Sequence, residues 1–370
     1  MENKLKILHT ESSPNWGGQE ERILKEMRWL IDHGHESILA ADPNSPIFTE
    51  GKKRGLRVHA VSMRSAYNPF SLLKLTLLIL KFRPDILNTH SGKDSWLALP
   101  LRFAGIHVVR SRNIDFIYPI KKNRSYIYRF GCQRIVASCK SIKDRLLEAR
   151  VDPRRVDFVG EGVDLKKFHP EQPVEQVLQD FGLHKGVPLF GVVAMFRSEK
   201  GHTYFLKAAA KVHKEFPEVR FLIVGDEIGS RPGARKKMEN QIAKLFPDQE
   251  SPVIFTGYRD DMPNIMCALT ALVVPSTKEA QTMVIPQAFA CGRTAVAFPA
   301  GGIPDILFHE KNGLMADFRS SDSLAENMLR LLKEPDLRNV LQTEALRFAK
   351  ANLSFDVKME ELLDCYRRAL

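Results

Sequence analysis

Residues 275–305 read PSTKEAQTMVIPQAFACGRTAVAFPAGGIPD, and they gather in one place groups that can hold an anion. The run before them, LTALVVP at 269–275, is short, apolar and rich in Leu, Val and Ala, the pattern of a fully buried strand. A polar loop carrying Glu279 follows, then an expected helix from about Val284 to Ala290, with Gly292 placed to stop it. Pro286 falls in the first turn, where a missing N–H costs nothing. The free N–H groups of that helix start, together with its dipole, form an anion site at the carboxyl end of a strand. A second strand, TAVAFPA at 294–300, leads into Gly301 and Gly302, a turn that backbone or ligand can approach closely.

These residues resemble the donor-site signature of retaining glycosyltransferases of the two-domain B-type fold (GT-B), specifically family 4, the group 1 enzymes. The family pattern is P-S-x-x-E-x7-E-A-x-A-x-G, then a strand and a Gly-Gly turn. It is met here by Pro275, Ser276, Glu279, Ala288, Ala290, Gly292, Gly301 and Gly302, with Cys291 between the last alanine and the glycine. One position departs: Gln287 stands where the family carries a second glutamate. The resemblance implies that Glu279 contacts the donor-sugar hydroxyls and Gln287 the ribose, the latter without charge assistance to its hydrogen bond. It assigns the diphosphate to Arg197 and Lys200 of the loop RSEKG, and to the backbone of Gln281, Thr282, Met283 and Val284. A nucleoside diphosphate gathers negative charge as it leaves, and two fixed cations with a helix N-terminus stabilise that charge without a metal. Tyr258 and Arg259 stand where family members contact the nucleobase. No metal and no cofactor are expected; the nucleotide-diphosphate-sugar is the donor substrate.

The elements that must position these groups follow from length and patterning. At 370 residues the chain is long enough for two domains, each with its own core, and 44% hydrophobic with 27% charged residues is ordinary for a soluble globular protein. The five cysteines show no paired spacing, which points to a reducing cytoplasm and away from a metal or disulfide framework. MENKLKILHTESS enters a strand without the h-region of a signal peptide, and no segment reaches the roughly 18 apolar residues of a membrane span. A net charge of +11 calls for an acidic partner: an anionic membrane surface, a phosphorylated acceptor, the nucleotide donor or nucleic acid.

From the start, LKILHT at 5–10 reads as a first parallel strand, and a loop with Gly17 and Gly18 opens onto a helix from about 19 to 33. The pair is either a tight strand-to-helix turn or a ligand approach; the resemblance favours the second, since family members set such a loop against the donor. Further alternation runs through ESILAA and LRVHAV to an all-round apolar helix at 71–82, expected to be mostly buried, with a membrane-lying face as the alternative. PDILNTHSG is a buried strand whose His90 faces the cleft by the rule that ligands lie beyond the carboxyl ends of parallel strands, a structural role outweighing a catalytic one. In the exit of the next strand, Arg110, Arg112, Asn113 and Asp115 replace a histidine that touches the donor sugar in many members. That contact is not carried over, and Arg112 and Asp115 stand as acceptor-side or cleft residues. YPIKKNRSYIYRF at 118–130 interleaves basic and aromatic residues, which suits lipid headgroups, single-stranded nucleic acid or a solvated helix with an aromatic inner side. RVDFVGEGVDLKKFHP resembles the family's interdomain stretch, with Glu161 in place of the usual Asn. Asp260 and Asp261 read as helix-capping residues rather than a metal pair.

Two βα series imply two Rossmann-like doubly wound domains facing a cleft: residues 1–170 on the acceptor side, 171–350 for the nucleotide-sugar, and 351–370 as a helix returning to the first. The resemblance spans nearly the whole chain and is densest over 188–318. It implies a metal-independent hexosyl- or heptosyltransferase that moves a sugar with retention onto an acceptor hydroxyl, in lipopolysaccharide or other surface-glycan synthesis. The enzyme would be cytoplasmic, at the inner face of the cell membrane, with an anionic glycolipid or lipid-linked acceptor. Other readings are a GT-B epimerase or phosphorylase, or a degenerate, noncatalytic nucleotide-sugar binder. Dispersed basic residues and no recognised module argue against nucleic acid.

Overall fold

The computed structural model describes residues 4–112, 122–227, 233–247 and 251–370. They form two compact units, Met1–Gly160 with Met359–Leu370, and Glu161–Lys358.

The N-terminal unit holds seven strands: β1 (Lys6–Glu11), β2 (Glu36–Ala41), β3 (Val58–Ala60), β4 (Ile86–Thr89), β5 (Val108–Arg112), β6 (Arg134–Ala137) and β7 (Val156–Phe158). They lie in the order β3-β2-β1-β4-β5-β6-β7, with every pairing parallel. Parallel strands covered on both faces need no polar alternation, and β4 is buried at all four positions. The period-2 geometry still shows in where the side chains go. Ile38 and Ala40 of β2 join Leu8 and Leu87 in one core, while Leu39 and Ala41 join Ile23, Leu24 and Met27 of the helix Gly18–Asp32 in another.

The C-terminal unit repeats the plan with β8 (Leu189–Val193), β9 (Arg220–Val224), β10 (Val253–Gly257), β11 (Ala271–Val274), β12 (Thr294–Ala297) and β13 (Leu314–Met315). Their order is β10-β9-β8-β11-β12-β13, again parallel throughout. Leu189, Leu222 and Leu272 face one core, Phe190, Phe221 and Val273 the other. In each sheet the chain winds outward from one strand and then returns to build the other way, between β1 and β4 and between β8 and β11. These are the topological switch points, where a crevice opens beyond the carboxyl ends.

Three expectations change. The first unit ends at Gly160 rather than at residue 170, because Val163 and Phe168 pack into the second unit's core. Val163 N donates to Leu353 O at 2.8 Å and Phe355 N to Val163 O at 2.9 Å, so the segment is tied there at both polar groups. The return to the first unit begins at Met359 rather than at 351, within the helix Phe355–Arg367. Lastly, the apolar helix, Pro69–Phe82, is not mostly buried: Ser71, Leu75 and Ile79 point inward, whereas Phe70, Leu73, Leu77 and Leu80 stand in solvent. Of the basic-aromatic stretch at 118–130, the helix Lys122–Phe130 is described in part: Tyr128 turns inward and Tyr126 and Phe130 are exposed. Among the described residues no helix is long and apolar enough to cross a membrane, and all five cysteines are free and buried.

Candidate active site

At the switch point of the C-terminal unit, the loop after β8 carries Arg197 and Lys200 and the loop after β11 carries Glu279. The two loops are locked together by backbone. Thr277 donates its N–H (2.8 Å) and its hydroxyl (3.3 Å) to the carbonyl of Glu199. Gly201, at φ 73°, lies so close to Pro275 that a Cβ would stand 1.8 Å from the Pro275 carbonyl oxygen. On the other side Gly301, at φ 54°, would put a Cβ 1.7 Å from the carbonyl oxygen of Glu279, and Gly302 N donates to Ala280 O at 2.8 Å. The Glu279 loop is therefore clamped between two glycine turns. The Gly-Gly turn expected to admit backbone or ligand admits backbone.

Within this clamp Lys200 Nζ donates to both carboxylate oxygens of Glu279, at 3.0 and 2.7 Å. The side chains are 23% and 11% exposed, so the pair is shielded yet reachable. Lys200 keeps a third donor hydrogen and Glu279 keeps unused lone pairs, so the pair presents a cation and a hydroxyl acceptor side by side. Arg197 is half-buried, with its guanidinium 4.0 Å from Glu199. The helix Val284–Ala290 starts as the sequence expects. Among the described residues, the amides of Thr282, Met283, Val284 and Ile285 donate to no acceptor. Gln281 accepts from Glu161 N at 2.5 Å, and its side-chain nitrogen is buried without a partner. Gln287 lies one turn into the helix, half-buried.

The nucleobase candidates separate. Tyr258 is exposed, but the Arg259 guanidinium is taken by Asp180 (2.8 Å) and Asp261 (2.7 Å) and covers the Phe181 ring. Two carboxylates hold its proton more firmly than usual. Asp261 occupies the cap position of the helix Met262–Ala268 but makes no side-chain cap bond, because Arg259 claims its carboxylate.

In the N-terminal unit, Gly17 and Gly18 are exposed at the start of the helix Gly18–Asp32. A Cβ on Gly18 would meet nothing within 4 Å, and one on Gly17 only Glu20 Oε2 at 3.5 Å, so packing inside the unit does not demand either glycine. Beneath them sits a polar network with no counterpart in the sequence reading. Glu11, at the end of β1, accepts from Ser13 N (2.7 Å), Ser91 Oγ (2.5 Å) and Gln19 Nε2 (2.5 Å). Burial, then the charge of Asp94, pushes its carboxyl up to about 7. Asp94 in turn accepts from Thr10 Oγ1, His90 N and Ser91 N, while Arg110 donates to Ser91 O at 3.1 Å and lies over the Tyr128 ring. A carboxylate closing a buried strand just before a glycine loop is the signal that could have found Glu11.

His90 is buried, with Nε2 3.0 Å from His9 Nδ1. Burial lowers the pKa of both rings, that of His9 to about 3, so both are neutral. Together with Glu26 they form the one described group whose ligating atoms gather within 4.8 Å. Arg22 is bonded to Glu26 at 2.6 Å, which sets a positive charge against one of the three groups. Arg112 is buried at the end of β5, and Asp115 lies outside the described residues.

Comparison with known proteins bears on both units. The model of "Glycosyltransferase Family 4" matches residues 16–167, and that of "Glycosyl transferases group 1" matches 187–334. An Escherichia coli enzyme, UDP-Gal:alpha-D-GlcNAc-diphosphoundecaprenol alpha-1,3-galactosyltransferase, is 23% identical over 98% of this chain and 97% of its own. A crystal structure of an Anabaena protein in complex with UDP superposes with a TM-score of 0.86 at 18% identity, covering 97% of this chain and 99% of that one. A glycosyltransferase from Rickettsia africae superposes at 0.89 with 21% identity, over 99% of each chain.

Proposed function

Because the chain belongs to the family 4, group 1 glycosyltransferases, we propose that it moves a hexosyl or heptosyl group from a nucleoside-diphosphate-sugar to an acceptor hydroxyl with retention. One observation carries the reading: the Lys200–Glu279 pair, clamped at the β8/β11 switch point beside free helix-start amides. A nucleotide-sugar needs this adjacency at its glycosyl phosphate, where a hydroxylated ring meets an anion. Glu279 accepts from sugar hydroxyls, while Lys200, Arg197 and the amides from Gln281 to Val284 receive the diphosphate. The buried side-chain nitrogen of Gln281 is a further donor, and Gln287 holds the ribose. Gly17 and Gly18 expose backbone that packing inside the N-terminal unit does not fill.

In the step itself the bond from the anomeric carbon to the β-phosphate oxygen breaks as the acceptor oxygen bonds to that carbon from the same face. The acceptor proton passes to the departing phosphate oxygen. Fixed cations and amides stabilise the charge that grows there. We assign the leaving-group charge to these groups and to no metal, and Asp261, half of the acidic pair at 260–261, is already held by Arg259. UDP is the favoured nucleotide, given the galactosyltransferase relative and the UDP-bound structural neighbour. The acceptor we infer is a lipid-linked or lipopolysaccharide-type glycan at the cytoplasmic face of an anionic membrane, in keeping with that relative and with the net charge of +11.

The test is release of UDP from UDP-sugars by the purified chain with and without acceptor. Glu279→Ala and Lys200→Ala should each lower transfer by at least about 100-fold, with far-UV circular dichroism unchanged. Full activity in both variants would place the site elsewhere.

A further inference from the structure

The helix Pro69–Phe82 presents to water what its composition would be expected to hide. Phe70 is 75% exposed, Leu80 65%, and Leu73 and Leu77 each 56%. Spaced three and four apart, they form one stripe along a helix about 21 Å long. The opposite face, Ser71, Leu75 and Ile79, already fills the unit's core, so the stripe is not surplus packing. At its N-terminal end Tyr67 is 78% exposed and leans on Trp96 of the neighbouring helix Gly92–Phe103.

Charge around the stripe is one-sided. From Gly51 through Pro84 the sequence has eight Lys and Arg and not one Asp or Glu. Some of these cations are engaged from outside the stretch: Arg54 by Glu21 and Glu50, Arg57 by Glu36, and Arg64 by Asp42. Lys74 and Lys81, on the border of the stripe, are exposed and have no ion-pair partner among the described residues. An apolar row bordered by unpaired ammonium groups matches a bilayer interface, with leucines at the acyl boundary, lysines at phosphates and aromatic rings at headgroup level. A second copy of the chain fits it poorly, since a twofold contact would set Lys74 and Lys81 against the same cations of the copy.

We propose that Phe70, Leu73, Leu77 and Leu80, with Lys74 and Lys81, form the surface that seats this chain on an anionic lipid bilayer. The helix lies flat in the interface, its stripe immersed and its inner face still packed on the sheet. The inference rests on the reading that the acceptor is presented at a membrane, and it specifies which face of the N-terminal unit meets it.

Sedimentation of the full chain with vesicles tests it, using phosphatidylcholine alone and phosphatidylcholine mixed with phosphatidylglycerol. The wild type should bind the mixed vesicles at least about ten-fold more strongly than the neutral ones. Leu73→Gln with Leu77→Gln should cut binding to mixed vesicles at least about ten-fold, and Lys74→Gln with Lys81→Gln should remove most of the preference for phosphatidylglycerol. All six positions are exposed, so both double variants should keep the wild-type melting temperature. Wild type that ignores anionic vesicles, or variants that bind them as wild type does, would overturn the proposal. So would a lipid-free dimer, seen by sedimentation velocity, that the leucine variant dissociates. Calorimetry with UDP on the same samples keeps the two readings apart: lost nucleotide binding in the wild type would sink the transferase reading whatever the vesicles show.

Discussion

Glu11 is a carboxyl group in a place that resists its charge. It is fully buried beside Asp94, and three hydrogen bonds to its oxygens only partly offset that, leaving its pKa near 7 against an ordinary 4.5. Between those values the unfolded chain has released a proton that the folded chain still holds, so this group's contribution to stability falls as pH rises through the window. The buried His9–His90 pair acts in the opposite sense, its neutral form stabilising above about 6.5 and losing that advantage as pH falls toward 3. Comparing Glu11→Gln with wild type at each pH cancels the histidine slope. The variant's melting temperature should rise relative to wild type by on the order of a few degrees between pH 4.5 and 7.5, followed by circular dichroism; a constant gap would mean that the carboxyl titrates normally. In the sequence Glu11 is marked only as a carboxylate closing a buried strand before a glycine loop. Its shift is not legible there, because it comes from burial and then from Asp94, some eighty residues away and brought close only by the pairing of β1 with β4. Lys200 and Glu279 lie as far apart in sequence, but a repeated family spacing made both legible.

At the scale of elements, the donor-side loops owe their geometry to glycines more than to side chains. Ala at Gly301 would have to place a Cβ 1.7 Å from the Glu279 carbonyl oxygen at a φ of 54°, and Ala at Gly201 meets Pro275 at 1.8 Å. Neither neighbour is the flexible end of a side chain, so the loop itself must move. Gly301→Ala should cost at least about 2 kcal/mol in urea unfolding, and UDP affinity should fall with it although no ligand-facing side chain is removed. Gly18→Ala, by contrast, meets open space and should leave stability unchanged in the same urea titration. Such loops were readable because strands buried on both faces appear as unbroken apolar runs and Gly or Pro marks where they stop. The helix Pro69–Phe82 was not. With Leu or Ile on every side, hydropathy has no phase, and only the packed structure shows which leucines face water.

At the scale of the whole molecule, the order of the sequence and the order of the units part company at the C-terminus. The helix Phe355–Arg367 follows the C-terminal unit in the chain, yet from Met359 its residues belong to the N-terminal one. Its buried side chains there include Leu362, Leu363 and Tyr366, and Tyr366 is fully buried. The Tyr366 hydroxyl accepts from Asn88 Nδ2 at 2.7 Å, and Asn88 Oδ1 in turn accepts from Ser111 Oγ at 3.0 Å. One tyrosine thus closes a hydrogen-bond chain across β4 and β5, so the last dozen residues complete the first sheet's cover. Tyr366→Ala should therefore destabilise the N-terminal unit by about 3–5 kcal/mol. Hydrogen exchange should quicken in β4 and β5 and stay at wild-type rates in β8 and β11. Tyr366→Phe, which keeps the ring and drops one buried hydrogen bond, should cost only about 1–2 kcal/mol. Faster exchange in β8 and β11 but not in β4 and β5 would show that the helix end stabilises the unit it follows in sequence, and would move the division between the units past residue 359.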